Sequence, residues 1–244
     1  MHTKTAPCRN ALCIFILLFA SSVAADKTSA YNAWEKGDYG VALKEIQPMA
    51  EQGDEWAQYL FGLMYAKGQG LAQDGRKAQN WYLKSAKQGY TTAEYALAVL
   101  YQSDKSIPQD YAKAVHWFRR VAAKAYFRGE KSRKRSALGN LGWHFEKGKG
   151  VQQDYGEAVR WYTMAAQQGD PWSQGKLGRF YKNGQGVKRN PAAAQKWFRL
   201  AAKNDSKYAK KMLALKDLNV EGFLAARKKW WKKYPEYMRP FGIV

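Results

Sequence analysis

Histidine, cysteine and glycine-rich loops are where chemistry is sought first, and in this protein none has the spacing that catalysis requires. The sequence holds three His and two Cys. Cys8 and Cys13 stand near the start, so the body of the protein keeps only His116 and His144, one before Trp117 and one before Phe145. No His-x-x-x-His pair, cysteine cluster or Gly-x-Ser-x-Gly elbow occurs, so neither a zinc ion nor an activated nucleophile is indicated. Both histidines are read as packed or surface residues. Three Gly-x-Gly segments, Gly68-Gln-Gly70, Gly148-Lys-Gly150 and Gly184-Gln-Gly186, could suggest a phosphate cradle. They lack the Lys-Ser/Thr of a P-loop and a preceding strand, and are read as tight turns. The sequence therefore predicts no catalytic residue, no metal site and no cofactor.

Aromatic and basic residues offer binding chemistry instead. Trp81, Trp117, Trp161 and Trp197 are spaced 36, 44 and 36 apart. Alanines three before and four or five after place this ladder on a packed helix face, so it is read as core. A second stripe is read as a partner-binding surface. It runs through Trp56, Tyr59, Leu63 and Lys67, then Tyr95, then Trp143 and Lys147, then Trp172, Arg179 and Asn183. Large aromatics with interspersed Arg and Lys are what interface hot spots use; packing between repeats is the other reading of the same stripe. Two basic segments stand apart. One holds Arg128, Lys131, Arg133, Lys134 and Arg135; the other holds Arg227, Lys228, Lys229, Trp230, Trp231, Lys232 and Lys233. The second suits an anionic interface, since indoles favour the headgroup zone and each cation adds about 1 kcal/mol near an anionic membrane. Its aromatics could equally fold back and cover the end of the preceding array.

The elements that position these residues form a repeat. Tyr65, Tyr101, Phe145 and Tyr181 have the same 36, 44, 36 spacing as the Trp ladder, 16 residues before it in each copy. The unit is about 36 residues, interrupted once by eight more between Trp117 and Phe145. Each unit reads as two helices with a turn between them. Gly62, Gly142 and Gly178 lie within the first helix, where Gly costs about 1 kcal/mol relative to Ala, so they imply close helix approach. Asp74, Asp110, Asp154 and Asn190 are N-caps of the second helix; Pro191 sits at a first helical position, and Asp154 with Glu157 resembles a capping box. Gly89 and Gly169 terminate second helices. The expected organisation is a leader over 1–25, an all-α solenoid over 26–216 and a basic aromatic tail over 217–244. Within the solenoid, clear repeats span 55–90, 91–127, 136–170 and 171–205, preceded by a degenerate copy at 31–54 and followed by a half-repeat at 206–216.

The leader is read from Lys4 and Arg9, an apolar run from Ala11 to Ala20 and the small residues Val23-Ala24-Ala25. This is a signal peptide pattern, and its apolar run is shorter than the ~17–25 residues of a spanning helix. Cleavage after Ala24 or Ala25 would remove both cysteines, leaving a core that must hold without disulfides. The sequence has 41 Lys+Arg against 20 Asp+Glu, a net charge of +21; losing Lys4 and Arg9 leaves +19. With 46% hydrophobic and 15% aromatic residues, the composition excludes a disordered protein in spite of that charge.

Together these motifs resemble the Sel-one-like repeat (SLR) family, a cousin of the tetratricopeptide repeat. The matching residues are Leu177-Gly178-Arg-Phe-Tyr181, Gly148-Lys-Gly-Val151 and Asp154 to Tyr162. The second copy departs, with Gln102-Ser-Asp-Lys-Ser-Ile-Pro-Gln109 where the Gly-x-Gly loop is expected. The resemblance implies a right-handed α-solenoid whose first helices line the concave side, and a role as scaffold or adaptor. The reading is an exported protein, periplasmic or secreted, that holds an acidic protein partner on the concave stripe. The alternative is direct binding of lipid headgroups, lipopolysaccharide or acidic polysaccharide through the two basic segments. Nucleic acid fits the charge but not the export signal.

Overall fold

A computed structural model describes residues 27–104, 106–124, 131–204 and 206–217, all helices and turns with no strand among them. The leader and the basic tail lie outside these residues, as does Arg128. The protein divides into two compact units between Arg133 and Lys134. The first contains α1 (27–36), α2 (Tyr39–Glu51), α3 (Glu55–Lys67), α4 (Gly75–Lys87), α5 (Thr91–Ser103) and α6 (Tyr111–Ala123). The second contains most of α7 (Lys131–Lys147), then α8 (Tyr155–Gln167), α9 (Pro171–Asn183), α10 (Pro191–Lys203) and α11 (Lys207–Asp217). α3 pairs with α4, α5 with α6 and α9 with α10, each pair an antiparallel hairpin of 13-residue helices.

The caps explain where the second helices begin. Asp74, Asp110, Asp154 and Asn190 each accept from the backbone N–H three residues on, at 2.9–3.0 Å. Asp54 and Asp170 do the same for the first helices α3 and α9. Each such bond satisfies an orphan donor of the first turn and contributes about 1 kcal/mol. Glu157 turns its carboxylate to Arg160 rather than back to its own cap.

Close helix approach is realised at the glycines. A Cβ on Gly62 would lie 2.8 Å from the Tyr82 ring, on Gly142 2.6 Å from the Tyr162 ring, and on Gly178 2.5 Å from the Phe198 ring. In these three repeats the aromatic after the ladder Trp thus packs where only Gly leaves room, whereas the second repeat has Ala98 at the equivalent position. Tyr162 and Phe118 are both fully buried. The Trp ladder itself is half to fully buried: Trp81 leans on Phe61 at 5.0 Å, Trp161 and Trp197 pack against the core around Tyr162, and Trp117 is buried.

The turns between hairpin helices share one closure. The N–H of each cap residue donates to the carbonyl of the marker aromatic, Asp74 to Tyr65, Asp110 to Tyr101, Asp154 to Phe145 and Asn190 to Tyr181, at 2.8–3.0 Å. The residue before each cap reaches back across the turn: Gln73 to Ala66 O, Gln109 to Gln102 O, Gln153 to Glu146 O, Arg189 to Lys182 O. Both glycines of every Gly-x-Gly loop have φ between +63° and +74°, which side chains rarely adopt.

The aberrant second loop keeps this closure by other means. Asp104 caps its own turn by accepting from Ser106 N at 2.7 Å, and Ile107 is buried. Elsewhere the second loop glycine abuts a residue at the start of the preceding second helix, Gly70 on Tyr39 and Gly186 on Tyr155. Here the pair is exchanged: Ser106 stands at the loop and Gly75 opposes it, and a Cβ on Gly75 would fall 2.7 Å from that of Ser106. Part of the eight-residue insertion is helical too. α7 has 17 residues, starting at Lys131 and so adding one turn to the N-terminus of that first helix.

Candidate functional site

Polar residues buried in first helices are either structural or poised, and their partners separate the two. Gln58 donates to Ala50 O and accepts from Gln88, and Gln174 donates to Ala166 O and accepts from Asn204. Glu94, fully buried at the equivalent position, is held by Lys124 at 2.8 Å and Arg120 at 2.9 Å. Gln58 and Gln174 tie each hairpin to the helix before it, and Glu94 joins α5 to the end of α6 within its own hairpin.

Glu146 is different. It is 3% exposed at the end of α7 and accepts from Lys176 Nζ at 2.9 Å, Arg179 Nη2 at 2.6 Å and the Tyr162 hydroxyl at 2.7 Å, with Lys147 Nζ 3.5 Å away. Burial alone would raise its carboxyl, but the hydrogen bonds from Lys176, Tyr162 and Arg179 outweigh that and hold it down at about 2. Burial and then the Glu146 charge push the Tyr162 hydroxyl up, so it stays protonated. Burial pushes Lys176 down against the pull of Glu146. Three cations therefore surround one carboxylate, and the cluster keeps an excess of positive charge.

Above this cluster α9 and the start of α11 enclose a hollow of about 240 Å³, lined by Trp172, Gly175, Lys176, Arg179, Ser206 and Tyr208. Trp172 is 46% exposed and Tyr208 45%, unusually open for large aromatics. Each is set edge-on against a buried ring, Trp172 on Tyr162 at 5.4 Å and Tyr208 on Phe198 at 6.1 Å, so their orientation is fixed while one side stays open. Lys176 Nζ sits 4.9 Å from the Trp172 ring centre. The floor is Gly175, where a Cβ would stand 3.5 Å from the Tyr208 ring and 3.8 Å from Ser206 Oγ. A second cavity of about 360 Å³ runs along α4 past Lys77, Trp81, Lys84 and Lys87, bounded by one helix alone.

Of the predicted stripe, the structure brings Trp172 and Arg179 together in the hollow, with Lys147 exposed beside Glu146 and Asn183 exposed at the end of α9. Trp143 is half-buried, its ring edge-on to His144 at 5.0 Å. In the first unit, Trp56 and Leu63 are half-buried against the core and Tyr59 stacks on Tyr82 at 5.8 Å, while Lys67 is exposed. Tyr95 is half-buried, edge-on to Phe118 at 5.8 Å. Of the basic segments, Lys131 is exposed and Arg133, Lys134 and Arg135 are half-buried along the first turns of α7; Arg227, Lys228, Lys229, Trp230, Trp231, Lys232 and Lys233 lie outside the described residues. Lys176, Gly175, Ser206 and Tyr208 were not foreseen. Tyr208 stands one 36-residue period after Trp172, so continuing the stripe into the terminal half-repeat is the signal that could have found it.

His144 is fully buried with Nδ1 2.8 Å from Lys149 O, and burial pushes its pKa down; His116 is exposed. Among the described residues no group of three or more His, Cys, Asp or Glu could hold a metal ion. No described helix is long and apolar enough to cross a membrane.

The Sel1 repeat pattern matches residues 57–90, 91–129, 135–170 and 173–206. The protein belongs to the Sel1 repeat family. A solved Sel1 repeat protein from Oxalobacter formigenes is 28% identical over 88% of this chain and 86% of its own, with a TM-score of 0.69. The protein c5321, a protective antigen of uropathogenic Escherichia coli strains with an SLR fold, is 33% identical over 80% of this chain, with a TM-score of 0.65. The match spans 41% of the length of c5321. No curated protein matches. The fold class is thus an all-α solenoid of Sel1 repeats. Sel1 repeat proteins are in general scaffolds for protein–protein interaction and typically non-catalytic.

Proposed function

We propose that this protein is an exported scaffold that carries out no catalysis and holds an acidic protein partner on its row of first helices, the concave side that the SLR resemblance implies. The observation that carries the reading is the hollow between α9 and α11. Two exposed, orientationally fixed aromatics there border a net positive cluster on the Sel1 hairpins. Aromatic and Arg anchors in a partly desolvated pocket concentrate binding energy, whereas charge complementarity sets partner choice and encounter rate. Within the second unit the stripe residues Lys147 and Asn183, which stay exposed, would then form a polar rim. The test is partner recovery by pull-down with Trp56, Trp143 and Trp172 each changed to Ala. Trp172→Ala should reduce affinity by at least ~30-fold, the loss of a hot spot of about 2 kcal/mol. Undiminished recovery by a folded Trp172→Ala protein would contradict the assignment. Export is tested separately, by the N-terminal residue of the protein recovered from outside the cytoplasm, expected to follow Ala24 or Ala25.

A further inference from the structure

The geometry points to a specific ligand chemistry for the hollow between α9 and α11: we propose that it takes a carboxylate carried next to an apolar side chain on an extended peptide. This rests on the scaffold reading and adds what the partner must present.

The charge argument comes first. Glu146 neutralises only one of the cations around it, although it is ionised at any ordinary pH. Lys176 spends its ammonium on both oxygens of Glu146, and Arg179 bonds the carboxylate through Nη2 alone. A guanidinium has five N–H donors; Arg179 Nε is buried without a hydrogen-bond partner, which leaves the other N–H groups of Nη1 and Nη2 for the partly closed hollow that Arg179 lines. A second carboxylate is the group such a surplus attracts, because charge-assisted bonds to carboxylate are the strongest that Lys and Arg make. A phosphate is also an anion, but the aromatic walls make the space amphipathic. The face of Trp172 and the edge of Tyr208 would bury an apolar side chain adjoining the anion, and Ser206 Oγ adds one small polar group.

The size argument agrees. About 240 Å³ holds a single side chain with its carboxylate, not a folded element. Gly175 sets that size, because any longer residue there projects between Tyr208 and Ser206.

The carboxylate could come from the C-terminus of a partner or from an internal Glu or Asp. Three peptides separate these: acetyl-Gly-Gly-Leu with a free carboxylate, the same peptide amidated, and acetyl-Gly-Glu-Leu-Gly-amide. Binding to the full-length protein is followed by NMR through the Trp indole N–H signals, with Trp172 identified from its disappearance in Trp172→Phe. A saturable shift at Trp172 with at least one carboxylate-bearing peptide, weakened tenfold or more in the amidated tripeptide, is the expected result. Gly175→Leu should abolish the shift while the other indole signals stay in place. The free-carboxylate peptide binding best identifies a C-terminus, and the internal Glu peptide binding best identifies a side chain. Equal affinity for the amidated tripeptide, no shift with any peptide, or an unchanged shift in Gly175→Leu overturns the proposal. The scaffold reading fails on a different result: partner recovery undiminished in Trp172→Ala.

Discussion

At the scale of single residues, the structure hangs on places where one atom decides. Gly142 faces the ring of Tyr162 so closely that a methyl group cannot enter without moving a fully buried aromatic. Gly142→Ala gains about 1 kcal/mol of helix propensity but must overpack the core at a cost of about 1–3 kcal/mol. We expect net destabilisation, read as a lower urea midpoint with an unchanged slope. Glu146 is the second such residue. Its carboxyl is held at about 2, below the ordinary 4.5, so it contributes stability that is complete above pH 4.5 and disappears as pH falls through 2. That contribution is about 3 kcal/mol. His144, pushed down by burial, adds an acid-sensitive step of its own below its ordinary 6.5, since the unfolded state takes up the proton first. Glu146→Gln leaves Lys176 and Arg179 without their countercharge; it should cost about 3–5 kcal/mol near neutrality and flatten the loss of stability between pH 4.5 and 2. Urea melts of both proteins across that range measure it.

At the scale of elements, the caps, the turn glycines and the in-helix glycines were all legible, because each is a local solution to a backbone problem that recurs every 36 residues. What escaped the sequence was pairing across elements. The loop of the second repeat departs from the Gly-x-Gly pattern, yet Ser106 and Gly75 exchange the bulk that Gly186 and Tyr155 divide the other way. Nothing in either residue alone announces the other, 31 positions away. Gly75→Ala should therefore destabilise the first unit, and Ser106→Gly should recover most of the loss, a coupling of about 0.5–3 kcal/mol in a double-mutant cycle. The back-reaching Gln73, Gln109, Gln153 and Arg189 were missed for a related reason, since a polar residue before a cap is unremarkable until its acceptor carbonyl is known. The binding stripe was legible only by period. In α3 and α5 that face is half-buried against neighbouring helices, whereas on α9 Trp172 is exposed.

At the scale of the whole molecule, the dominant quantity is charge. With +21 on 244 residues, self-repulsion opposes the compact state. Raising salt from about 0.01 to about 0.15 M shortens the Debye length from about 30 to about 8 Å. Thermal stability should rise over that range, because the buried ion clusters at Glu94 and Glu146 are screened far less than the exposed cations. A fall in Tm on adding salt would place the balance with exposed ion pairs instead. The family and its helical hairpins could be read from the sequence because repeats print the same constraints several times over. The hollow was not read, although Tyr208 keeps the 36-residue period after Trp172, because periodicity alone does not say that the two rings leave open space between them. The central claim is that this array holds a partner at that hollow, and a photo-crosslinking residue placed at Lys147, exposed beside Glu146 with Trp172 left intact, tests it most directly in the native cell. The account predicts a cross-linked protein species of discrete mass that disappears when Gly175→Leu is added and is absent when the crosslinker is placed at Arg199 on α10. The same species from both positions, or one that survives Gly175→Leu, would contradict it.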